Sequence, residues 1–236
     1  MKLSCLFVLS LLTACLFSPA LNAEDQKKDD GFKAIFDGKT LDGWEGKDFW
    51  SVKDGAITGQ TTSEKPTSGN TFLVFKDQVK DFELRLKFRI VGGNSGIQYR
   101  SENVGDFVVK GYQADFDASN GYIGILYGER TGRGIICPRG QKLLIKENGT
   151  AEGDKQNLGK TCDEKEFLDS IKKEDWNEYV IIAKGNHLVQ KINGFTTVDV
   201  TDEHKDAVAE GIIALQLHAG PPMLVQFKDI ELKELN

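Results

Sequence analysis

The densest run of groups able to do chemistry is GYQADFDASNGYIGILYGERTGRG, from Gly111 to Gly134. If Tyr112 to Asp117 is a strand, alternate side chains leave opposite faces. Gln113, Asp115 and Asp117 then share one face, and Tyr112, Ala114 and Phe116 share the other. Two carboxyls and an amide on one face supply proton-transfer groups and a hydrogen-bond donor, while the other face packs. A second strand, Gly121 to Glu129, is expected after a Ser119-Asn120-Gly121 turn, with Ile123, Ile125, Tyr127 and Glu129 at its odd positions. The same pattern also fits an ordinary antiparallel sheet with one solvated face.

Two distant stretches repeat this spacing. Gln98 and Arg100 face away from Ile97 and Tyr99, and in GIIALQLH Gln216 and His218 face away from Leu215 and Leu217. Should these strands neighbour Tyr112 to Asp117, their polar sides merge into one cleft. Carboxylates at i and i+2 with a nearby histidine can share a divalent cation, so Asp115, Asp117 and His218 are also the candidate metal set. The sequence requires no cofactor. An EF-hand is excluded because its sixth position is Asn120 and its twelfth Leu126, where glycine and glutamate are needed. The cluster Gly92-Gly93-Asn94-Ser95-Gly96 lacks both the serine-hydrolase elbow and the helix-starting dinucleotide pattern.

The elements that must position these groups are short strands. Asp81 to Ile90 (DFELRLKFRI) alternates cleanly, with Phe82, Leu84, Leu86, Phe88 and Ile90 inward. Phe49 to Thr58 reads as a hairpin about Asp54-Gly55, and Leu188 to Val200 as a hairpin about Asn193-Gly194. Thr61 to Asn70 is a loop, Ile135 to Ile145 adds a pair of strands or irregular extensions, and Asp163 to Ile171 holds a short helix. About a dozen strands, few helices and no internal repeat indicate one all-β domain, a two-sheet jelly roll, over 31–236. Trp44, Trp50 and Trp176 are assigned to the core.

Residues 1–23 read as an export signal, with Lys2 ahead of an apolar run, which places the chain in the periplasm or outside the cell. A lipid-anchored alternative uses Cys15. Residues 24–30 are a charged leader without an apolar pattern. Removing the single basic residue of 1–23 leaves 29 basic against 36 acidic residues, a charge of 29 − 36 = −7. That opposes nucleic-acid binding, and the run is too short for a membrane span. Cys137 and Cys162 then remain, and an oxidising compartment would let them pair. Asn148-Gly149-Thr150 matches a glycosylation sequon, although Asn-Gly is also a turn.

Taken in order, FDGKTLDGW, FELRLKFRI, GGNSGIQYR, GYQADFD, GILYGERTGRG, DWNEYVIIAKGNHLVQKING and the closing GIIALQLHAGPPMLVQFKDIELKEL resemble the 3-keto-disaccharide hydrolase family. The resemblance covers nearly all of the chain after the leader. It implies a concanavalin A-like jelly-roll β-sandwich of two antiparallel sheets that binds a glycoside or oligosaccharide on its concave face. It also implies a reaction on glycosides already oxidised to a ketone at carbon 3. A base removes the acidified proton at carbon 2, the carbon 1 substituent leaves, and water addition completes a net hydrolysis. On that reading Asp115, Asp117 and His218 are the acid and base candidates. Gln98, Arg100 and Gln113 stabilise the enolate, while Tyr127, Glu129, Arg130, Arg133 and Gln216 contact substrate. The chain departs from the family pattern where a Glu-x-Gln pair is replaced by Gln113 and Asp115, and where Lys228-Asp229 replaces Arg-Asn. A conventional glycosidase using Asp115 and Glu129, or a non-catalytic sugar-binding module, fits the same residues.

Overall fold

The computed structural model describes residues 30–147 and 155–235, and the described residues from Gly31 onward form one compact unit. The export signal, Cys15, nearly all of the leader and the Asn148 sequon lie outside the described residues. In chain order the strands begin with β1 (Lys33–Ala34), β2 (Trp44–Glu45), β3 (Trp50–Lys53), β4 (Ala56–Gln60), β5 (Thr71–Val79) and β6 (Phe82–Val91). The middle of the chain supplies β7 (Asn94–Gly105), β8 (Val108–Asp117), β9 (Leu126–Glu129), β10 (Gly134–Cys137), β11 (Gln141–Ile145) and β12 (Lys155–Lys160). After helix α1 (Glu164–Asp169) come β13 (Asn177–Lys184), β14 (His187–Ile192), β15 (Phe195–Asp202), β16 (Gly211–Leu217) and β17 (Leu224–Glu234).

They form two sheets. The first runs β12-β11-β15-β14-β13-β6-β17-β4-β3, with β1 added against β17, and the second runs β10-β9-β8-β7-β16-β5-β2. All pairings are antiparallel except β11 with β15. Strand β11 enters from β10 of the other sheet instead of returning through a hairpin, so no tight turn dictates its direction.

Alternation builds the core between the sheets. Phe82, Leu84, Leu86, Phe88 and Ile90 of β6 point inward, as do Tyr112, Ala114 and Phe116 of β8 and Ile213, Leu215 and Leu217 of β16. Phe116 of the second sheet meets Phe88 of the first at 4.2 Å between ring centroids and Phe227 at 6.0 Å. The Asn193-Gly194 turn has φ of 49° and 85°, the left-handed pair a tight hairpin needs, and helix α1 is capped by Asp163 accepting from Glu166 N.

Three expectations change. Gly121 to Glu129 is not one strand, because only Leu126–Glu129 pairs and the residues before it form a loop. Cys137 and Cys162 are both free thiols, and Cys137 is buried with Sγ near the carbonyl oxygens of Pro138 and Gln141. Trp44 and Trp50 are core residues, but Trp176 is only half-buried. No helix among the described residues is long and apolar enough to cross a membrane.

Candidate functional site

The second sheet carries a cleft of about 470 Å³ on its outer face. Gln113 and Asp115 of β8 and Gln216 of β16 point into it, as do Tyr127 and Glu129 of β9, with His218 just beyond β16. The three polar stretches are brought together because β7 lies between β8 and β16, pairing Gln98 with both Gln113 and Ala214. Four further residues complete the wall: Asn70, Asn94, Tyr122 and Ile135.

Asp115 is the focus. Asn94 Nδ2 donates to its Oδ1 at 2.7 Å and Gln113 Nε2 to its Oδ2 at 3.2 Å. Burial pushes its carboxyl up to about 7 despite those two donors, so both protonation states are populated near neutrality. Gln113 is itself oriented from below. Ser101 Oγ donates to Gln98 Oε1 at 3.0 Å and Gln98 Nε2 to Gln113 Oε1 at 2.5 Å, which turns the Gln113 amino group toward Asp115. A Cβ on Gly96 would stand 2.5 Å from Gln113 Cγ, so glycine is needed there for this side chain to lie across β7.

Nδ1 of His218 lies within hydrogen-bonding distance of the Ala219 carbonyl oxygen. A carbonyl only accepts, so Nδ1 carries a hydrogen and Nε2 of the neutral ring holds the lone pair. Burial raises the Glu129 carboxyl above its ordinary value, opposed by a hydrogen bond with Asn70 and by the charges of Arg130 and His218. The cleft thus joins a carboxyl poised near neutrality, an imidazole with one free nitrogen and a second partly desolvated carboxyl. Amide side chains and the Tyr122 and Tyr127 rings surround them.

Five expected residues do not line this cleft. Asp117 shares the strand face, but its carboxylate accepts from the Ser119 hydroxyl and from the backbone N–H of Gly121, Tyr122 and Ile123. It folds the loop that delivers Tyr122 and has no part in the cleft lining. With Asp117 committed there, the Asp115, Asp117 and His218 metal set is not assembled. Among the described residues no group of three or more His, Cys, Asp or Glu side chains is placed to hold an ion.

Arg100 turns the other way. Between the Tyr99–Tyr112 and Glu102–Lys110 pairs, β7 has two residues where β8 has only Gly111. This bulge gives Arg100 a φ of 45° and reverses the alternation, so Ser101 takes the place next to Gln98. The Arg100 guanidinium instead donates to the carbonyls of Lys80 and Gly185 and to Asp81 Oδ1. Arg133 is held by a fork of 2.7 and 2.8 Å to Asp202, which also accepts from the Tyr112 hydroxyl. Gln98 is fully buried beneath the cleft, and Arg130 is exposed beside Glu129.

The missed residues had partial signals. Asn94 has the parity of Gln98 once β7 is extended backward through the glycine cluster, and Gly111 inside a polar-faced strand marks the bulge. Asn70 and Tyr122 come from loops, where periodicity carries no information.

Comparison with known proteins adds to the geometry. The sequence profile of the 3-keto-alpha-glucoside-1,2-lyase-like domain family matches residues 31–233. A 3-keto-disaccharide hydrolase of Bacteroides thetaiotaomicron is 39% identical over 84 residues, a match spanning 32% of this chain and only 29% of that protein. A candidate glycosyl hydrolase of Parabacteroides distasonis superposes with a TM-score of 0.58 at 16% identity, over 90% of this chain and 97% of its own. A carbohydrate-binding module of Bacillus subtilis does so with a TM-score of 0.52 at 14% identity, over 81% and 96% of the two chains. At these identities the structural likenesses speak to the fold alone.

Proposed function

The chain belongs to the 3-keto-alpha-glucoside-1,2-lyase-like domain family, and from that premise we propose that the Asp115 cleft cleaves glycosides oxidised at carbon 3. The ketone acidifies the proton at carbon 2. His218 Nε2 takes that proton, and the charge moves onto the carbon 3 oxygen, where N–H groups of Asn94 and Gln216 stand as donors, with Gln113 donating to Asp115 and Gln216 beside them. When the carbonyl re-forms, carbons 1 and 2 become doubly bonded and the carbon 1–oxygen bond breaks. Protonated Asp115 gives its proton to the departing oxygen. Glu129, a second carboxyl lining the same cleft, stands to stabilise the imidazolium formed in the first step. Water added across the new double bond, with oxygen to carbon 1 and hydrogen to carbon 2, completes a net hydrolysis. Tyr122, Tyr127 and Ile135 offer apolar surface to the sugar ring.

The observation that carries this reading is the pairing, in one cleft, of a carboxyl raised to about 7 with an imidazole whose Nδ1 is fixed by a backbone carbonyl. The test is turnover of a 3-keto-glycoside beside its unoxidised parent, with absorbance of the unsaturated keto-sugar recorded. Cleavage of the keto form alone supports the proposal. His218→Ala and Asp115→Asn should each lower kcat by about 10²–10⁴-fold, the usual worth of a general acid or base. Cleavage of the unoxidised parent would reassign Asp115 and Glu129 to glycosidase roles, and binding without cleavage would leave a sugar-binding module.

A further inference from the structure

The first sheet has a cleft of its own, of about 320 Å³, on the side of the sandwich away from Asp115. Its polar lining is Lys53, Asp54, Arg89, Gln226 and Lys228, with the half-buried Trp176 at one side and Ala56 and Leu224 as apolar surface. Register builds it: Gln226 of β17 stands between Arg89 of β6 and Thr58 of β4, while the adjacent Phe88, Phe227 and Ile57 turn into the core.

Three features separate this place from an ordinary solvated face. Arg89 Nε is buried without a hydrogen-bond partner, so this guanidinium is less fully satisfied than that of an ordinary surface arginine. Gln226 is held by one hydrogen bond from its Nε2 to Thr58 Oγ1 at 3.0 Å, which leaves the amide oxygen to accept. Among the described residues no carboxylate forms an ion pair with these cations. Lys228 Nζ sits 4.2 Å from the Trp176 ring centroid, and Lys53 Nζ bonds the Gln60 amide oxygen at 3.0 Å. Against Lys53, Arg89 and Lys228 the lining holds one acid, Asp54. A cationic pocket on a chain of net charge −6 selects for anions locally where the whole molecule repels them.

We propose that this second cleft binds a carboxylate-bearing sugar unit of an acidic glycan. The Arg89 guanidinium takes the carboxylate, flanked by Lys53 and Lys228, the Gln226 amide takes a hydroxyl, and Trp176 with Leu224 meets the ring. The volume lies at the lower end of the range of small-molecule pockets, about 300–1,000 Å³, and so suits a single ring. Bound there, the glycan is held without entering the reaction cleft, so this inference stands whether or not the proposed chemistry does.

The experiment is calorimetric titration of the whole chain with glucuronate, glucose and sulfate in turn. Glucuronate should saturate and bind at least about tenfold more tightly than glucose or sulfate, a difference readily resolved in Kd. Arg89→Gln should abolish that binding. Arg89→Lys, which keeps the charge and loses the planar fork, should weaken it without disturbing the sheet. Sulfate binding as tightly as glucuronate would mean an adventitious ion only and would overturn the sugar assignment. Absence of saturable glucuronate binding, or an affinity unmoved in both Arg89 variants, would overturn the site.

Discussion

Asp115 is held in the cleft by opposing forces: burial favours its neutral form, while Asn94 and Gln113 donate to the ionised one. The balance, near 7, has two consequences of defined sign. If the protonated form serves the departing oxygen, kcat/KM for a 3-keto-glycoside should fall as pH rises through about 7, and the pH–rate profile of Asp115→Asn should lose that limb. For stability, the folded carboxyl keeps its proton up to about 7, whereas the unfolded one releases it near its ordinary 3.8. Across that window the folded chain binds more protons, so stability is greatest below it and declines as pH rises. At about 1.4 kcal/mol per pH unit the decline is on the order of 4 kcal/mol. Asp115→Asn should therefore melt above the parent at pH 8 and converge with it at acid pH, reduced by about 1 kcal/mol for the hydrogen bond that an amide cannot accept. The shared face of Gln113 and Asp115 was legible from alternation, since β8 keeps period two there, although the same pattern also fits a sheet with one solvated face. The poised proton was not, because it depends on how deeply the tertiary fold buries the carboxyl.

At the scale of elements, two local irregularities decide which charged residues reach the cleft. Asp117 has the parity of Asp115, yet β8 ends at it and the following chain curls so that three backbone N–H groups close on its carboxylate. Asp117→Ala would free that loop. The expected result is a loss of about 1–3 kcal/mol in urea denaturation, with KM for the glycoside raised more than kcat is lowered as Tyr122 loses its place. The bulge opposite Gly111 has the other effect, carrying Arg100 off the face predicted for it and leaving Ser101 there. A Cβ at Gly111 would stand 2.3 Å from Ser101 Oγ, so the close approach of β7 and β8 demands glycine. Alternation says which face a residue takes only while the ladder stays in register. A single extra residue reverses everything beyond it, and Gly111 was its one visible mark.

At the scale of the molecule, the cleft stays open on one sheet because the other sheet holds it from behind. Phe116, the inward neighbour of Asp115, packs against Phe88, Phe227 and Tyr179 of the opposite sheet. Polar ties reinforce the packing: the Tyr112 hydroxyl and Arg133 both reach Asp202, and the Gln190 amide bridges the Tyr99 and Tyr179 hydroxyls. Removing the central ring with Phe116→Ala should cost about 3–5 kcal/mol in chemical denaturation. Glycoside affinity should fall with it, since β8 carries Gln113 and Asp115 on its reverse face.

The sequence by itself determined an all-β sandwich and the strands that line the cleft, because period-two alternation, Asn-Gly and Asp-Gly turns and inward aromatics are local properties that survive without knowledge of partners. It also singled out Gln113, Asp115, Gln216 and His218, which share one cleft once β7 is threaded between β8 and β16. Only the tertiary structure decided that Arg100 and Arg133 bind buried acceptors within the fold, that Asp117 closes a loop, and that Asn70, Asn94 and Tyr122 complete the wall. The physical reason is that a long cation or a carboxylate goes to whichever unsatisfied carbonyl, carboxylate or N–H the packed chain places nearest. Those acceptors and donors come from turns and strands dozens of residues away, which no local pattern announces.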